Sequence, residues 1–126
     1  MHQTREIPRD GWAAYLRGLS DHEHGHTVRI ELDGEGLGAQ HLTERLPLRD
    51  ITWEPRGSEA GAICVQVGRD GEELTHWIGA PTRVYVEEDD EGELACLDIE
   101  AQPQGKTLIF FEPMEREPWM REPWMQ

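Results

Sequence analysis

His22-Glu23-His24-Gly25-His26 sets three imidazoles at alternate positions, the densest group of histidines in the chain. On an extended strand, side chains two apart share a face. Three ring nitrogens on one face would suit zinc, nickel or copper and leave a position open for water. On a helix the same spacing splays the rings about the axis and no site forms. The competing reading is a polar connector between two elements. A second group is adhesive rather than reactive. Arg116-Glu117-Pro118-Trp119-Met120 is followed at once by an identical copy, Arg121-Glu122-Pro123-Trp124-Met125. Trp119, Met120, Trp124 and Met125 are candidate partner contacts, because indole and thioether side chains gain most from leaving water. Pro118 and Pro123 block a continuous helix through both copies, so the pattern describes a double hook. An accidental tandem duplication is the alternative.

Other chemistries find no support. Ser20 and Ser58 are the only serines, and neither stands in a G-x-S-x-G elbow. Gly34, Gly36 and Gly38 fall between expected strands rather than opening a helix, which removes the phosphate-cradle reading. Lys106 is the single lysine. The acidic run Glu87-Glu88-Asp89-Asp90-Glu91 lacks calcium-loop spacing and reads as a solvated hairpin tip. His76 and His41 have no nucleophile beside them and read as hydrogen-bonded core or rim residues. The chain leans away from enzyme chemistry and from any cofactor, with a transition metal at His22, His24 and His26 as the alternative.

Charge narrows the partners. Among 126 residues, 26 are acidic and 12 basic, a formal charge of −14. Such a surface repels nucleic acid and anionic membranes, so the partners expected are proteins, either another chain or a second copy. Two distant cysteines, Cys64 and Cys96, form neither a disulfide framework nor a metal knuckle. Met1 to Asp10 carries no apolar signal core, and no run reaches membrane-spanning length, so a soluble cytoplasmic protein is expected.

The elements that must position these groups follow from periodicity. Trp12, Tyr15, Leu16 and Leu19 make one apolar stripe, which predicts a helix over 10–19 with Asp10 as its N-cap. Beyond it the period drops to two. Strands are expected over 27–32, 38–46, 50–54, 62–67, 74–78, 83–87, 94–100 and 107–111, about seven short strands in all, given the weakness of the pair around Pro47. Asp70-Gly71 signals a tight hairpin. Short connections favour antiparallel neighbours. The expected architecture is α+β: one N-terminal helix, then a curled, mostly antiparallel sheet resembling an open barrel. Residues 1–112 would form one domain and 113–126 a proline-broken tail.

Several segments taken together resemble an uncharacterised bacterial family, domain of unknown function 5335. They are Thr4-Arg5-Glu6-Ile7-Pro8-Arg9-Asp10 with Trp12, Gly38-Ala39-Gln40, Leu46-Pro47-Leu48 with Ile51, Leu74-Thr75-His76, Pro81-Thr82-Arg83-Val84 and Val86-Glu87-Glu88-Asp89. The resemblance spans residues 4 to about 111. It implies a small stand-alone domain and no activity, and it assigns no role to the tail or the His segment.

Overall fold

The computed structural model describes residues 3–34, 38–55 and 61–112. β1 (Gln3–Ile7) leads through a 3-10 turn (Arg9–Gly11) into α1 (Trp12–Glu23). Seven strands follow: β2 (Thr27–Gly34), β3 (Gly38–Glu54), β4 (Ala62–Arg69), β5 (Glu72–Gly79), β6 (Pro81–Glu88), β7 (Leu94–Ala101) and β8 (Gly105–Phe111). All eight strands make one antiparallel sheet in the order β1-β6-β7-β8-β2-β3-β4-β5, open at β1 and β5. The sheet curls far enough for His76 on β5 to come within 3.4 Å of Thr107 on β8, with three strands between them in the ladder.

The period-two pattern set the inner face correctly. Val28, Ile30, Ile51, Ile63, Val65, Val67, Ile78, Val84, Val86, Leu97, Ile99, Ile109 and Phe111 are all buried there. Two expectations change. β1 is an addition: its residues are exposed except Ile7, so nothing apolar marks it as a strand, yet it pairs with β6 from Gln3–Glu88 to Ile7–Val84. The two weak strands around Pro47 are one long strand, β3. Its first part pairs with β2 as far as Pro47, and from Leu48 it pairs with β4. Arg45 adopts a left-handed backbone (φ 38°), and the register slips between Leu48 and Asp50, so the strand bends there without ending.

The helix also differs from its reading. Asp10 lies in the 3-10 turn and makes no side-chain cap; the N-cap position is Gly11. At the other end α1 runs to Glu23, because Ser20 and Glu23 continue the buried stripe of Trp12, Leu16 and Leu19 with polar side chains. Ser20 Oγ donates to the carbonyl of Ile51 (2.7 Å) and accepts from its N–H (2.8 Å). One hydroxyl thus satisfies both backbone groups of a β3 residue. At its N-terminal end α1 is pinned by aromatics. Trp12 meets Trp53 edge to face at 5.0 Å, its Nε1 donates to the Ile7 carbonyl, and Arg9 lies over both rings.

Candidate functional site

The His segment is not the extended strand that a three-imidazole face requires. His22 sits in the last turn of α1, His24 is the exposed C-cap, and His26 precedes β2. What the structure assembles instead is a carboxylate between two imidazoles. The side chain of Glu23 is only 7% exposed, and it meets His22 Nδ1 at 3.2 Å and His26 Nδ1 at 2.7 Å. The second ring nitrogen of His26 bonds the carbonyl of Glu112, and the ring packs edge-on against Phe111. Both His26 nitrogens therefore serve the fold, tying the end of α1 to the end of β8. His22 keeps its far nitrogen outward on a side chain 77% exposed. Among the described residues, no group of three His, Cys, Asp or Glu is placed to hold a metal ion.

Glu23 is the residue that the sequence pattern missed. Alternate spacing singles out the three imidazoles and gives the glutamate between them no role. The signal lay in the helical stripe: Leu16, Leu19, Ser20 and Glu23 are spaced for one face.

Glu23 and His22 also line a cleft of about 380 Å³ between α1 and the β6–β7 hairpin. Ala14, Tyr15, Leu19 and Leu94 line it together with Glu23, Glu88 and Glu93, the Glu23 carboxylate being held by the two imidazoles. Gly18 opens onto it with no neighbour within 4 Å of where a Cβ would stand. Burial raises the Tyr15 phenol above its usual range; nearby Arg5 opposes this, and Glu88 and Glu23 add to it. The hairpin tip is ordered by its own acids, since the Asp89 carboxylate accepts the N–H groups of Glu91 (2.8 Å) and Glu93 (3.0 Å). The acidic run is thus a built turn, closed on Asp89, that fixes the backbone of Glu91 and Glu93.

The remaining candidates fall into place individually. His76 faces inward between Leu74 and Ile78, and burial alone pulls its pKa below the ordinary imidazole value. His41 pairs with Glu44 on the surface. Both cysteines are buried free thiols; burial raises Cys64 and, with Asp98 and Glu87 adding to it, pushes Cys96 up to about 12, which keeps them unreactive. Trp119, Met120, Trp124 and Met125 lie outside the described residues.

An open, curled antiparallel sheet with a single helix across it, bearing an acidic cleft and no assembled catalytic group among the described residues, defines a small α+β domain. The chain belongs to the family of unknown function DUF5335, whose model matches residues 3–119. The match runs past the described residues into the first copy of the Arg-Glu-Pro-Trp-Met repeat, further than the resemblance to about 111. An uncharacterized protein of Aquifex aeolicus (strain VF5) is 27% identical over 96 residues, covering 76% of this chain and 80% of that protein. No solved structure matches. No helix among the described residues is long and apolar enough to cross a membrane.

Proposed function

We propose that this protein is a non-enzymatic acidic interaction module whose α1/β6–β7 cleft takes a basic, partly apolar segment of a partner protein. The carrying observation is the cleft's lining, in which Glu88 and Glu93 stand beside Tyr15, Leu19 and Leu94, on a chain of net charge −14. An arginine or lysine side chain fits such a site with its stem on Leu19 and Leu94 and its head among the acids. The repeated Trp-Met pairs of the tail supply a second contact in this reading, to a partner or to a twin subunit, on sequence grounds alone.

Gly18 gives a direct test. A photoreactive side chain placed there in the full chain reports what enters the cleft in cells. The expected result is cross-linking to a basic protein, lost in a Glu88→Lys/Glu93→Lys variant and weakened by added salt. Cross-linking that ignores the charge reversal sinks the proposal. The alternative, a metal at the His segment, is carried separately by elemental analysis of untagged protein with a His24→Ala control. Stoichiometric zinc or nickel that falls in the variant would establish it.

A further inference from the structure

The open edge at β5 is unlike the one at β1. β1 is five residues long, polar and followed by Pro8. β5 has eight residues, every one of which pairs with β4 without a register slip from Arg69–Glu72 to Ala62–Gly79. No proline, bulge or lysine blunts it, which are the usual defences of a bare edge. Its face away from the core carries Glu73, Thr75 and Trp77. Trp77 is 54% exposed, the one large hydrophobic side chain so placed among the described residues. On the inner face Leu74 and His76 are only half-covered at the rim. The strand's charge is confined to Glu72 and Glu73 at its start.

We propose that β5 is a docking edge that takes a basic, proline-free extended segment of another protein as a ninth strand. The backbone ladder would supply affinity, and alternate side chains would supply selection. A Lys or Arg opposite Glu73 answers the edge's charge, and an apolar residue beside Trp77 covers the indole. Charge decides the occupant. A second copy brings another −14 and another glutamate pair, and so is repelled. The chain's own tail repeat is unsuited, since Pro118 and Pro123 each remove an N–H and break the ladder. This surface is separate from the cleft and does not depend on it.

The test uses the isotope-labelled full chain and three probe peptides of eight residues: a valine- and threonine-rich peptide with arginine at the position that meets Glu73 and valine four residues away, on the same face, beside Trp77; the same peptide interrupted by proline; and the same peptide with glutamate in place of arginine. The arginine peptide is expected to shift the amides of Glu72–Gly79 and to slow exchange, by about tenfold or more at saturation, of the alternate ones that point away from β4. The proline and glutamate peptides should do neither. Trp77→Ser should weaken the arginine peptide by about tenfold with the melting temperature unchanged. Glu88→Lys/Glu93→Lys should leave binding at β5 intact, which separates this surface from the cleft. Equal effects of the proline peptide, shifts confined to the cleft, or a concentration-dependent dimer that protects β5 without peptide would each overturn the proposal.

Discussion

At the scale of the residue, function and stability meet in a few polar side chains that the core has swallowed. Glu23 and Ser20 are held by partners rather than by apolar contact and were hard to read for that reason, whereas His76 is the hydrogen-bonded rim residue its place between Leu74 and Ile78 suggested. The sequence pattern named His22, His24 and His26 and passed over Glu23, because type and spacing on a strand gave no role to a carboxylate that only a helix turns inward. His76 has a measurable consequence. Unfolded, its imidazole takes a proton near 6.5; folded, burial lowers that value. Between the two the unfolded chain binds more protons, so stability falls as pH drops below about 6.5, until the folded ring is protonated too. Asp98 works in the opposite sense further into acid, since burial raises its carboxyl and protonation there favours the fold. Comparison with His76→Gln isolates the first effect. Chemical denaturation from pH 7 to pH 5 should show the wild type losing ground to the variant, with a slope of at most about 1.4 kcal/mol per pH unit.

At the scale of the element, alternation was enough to orient nearly every strand, because one face is buried and the other wet. It failed where a strand has no buried face, as in β1, and where a strand bends, as in β3. It could not foresee the helix's last turn, where polar residues occupy apolar positions. The β4–β5 hairpin shows how tightly backbone geometry is specified. Gly68 sits at φ 130°, and a Cβ there would intrude on the carbonyl of Glu72 and the Cα of Glu73. Gly92, at φ 82° on the β6–β7 tip, faces open space. Gly68→Ala should therefore cost about 2–4 kcal/mol in urea denaturation, against about 1 kcal/mol for Gly92→Ala.

At the scale of the whole molecule, one helix packs against β3, an inner strand of an open sheet, and the margins at β1 and β5 stay unpaired among the described residues. The α+β class and the curl were legible because many short strands with tight turns and a single helix leave few other arrangements. The cleft was not, since it arises from α1 meeting a hairpin some seventy residues away, which no local pattern reports. The tail belongs at this scale as well. Replacing Trp119 and Trp124 together by serine in the full chain is expected to weaken association in sedimentation while leaving the melting temperature unchanged. An unaltered association state would remove the repeat from the account.

The bond from His26 to the Glu112 carbonyl is half of a double tie. It ties Glu112 through His26 to the buried carboxylate of Glu23, so one imidazole closes both the end of α1 and the end of β8. Replacing His26 by alanine would take a partner from that carboxylate and from the Glu112 carbonyl at once, and the close of the helix and the close of the sheet would loosen together.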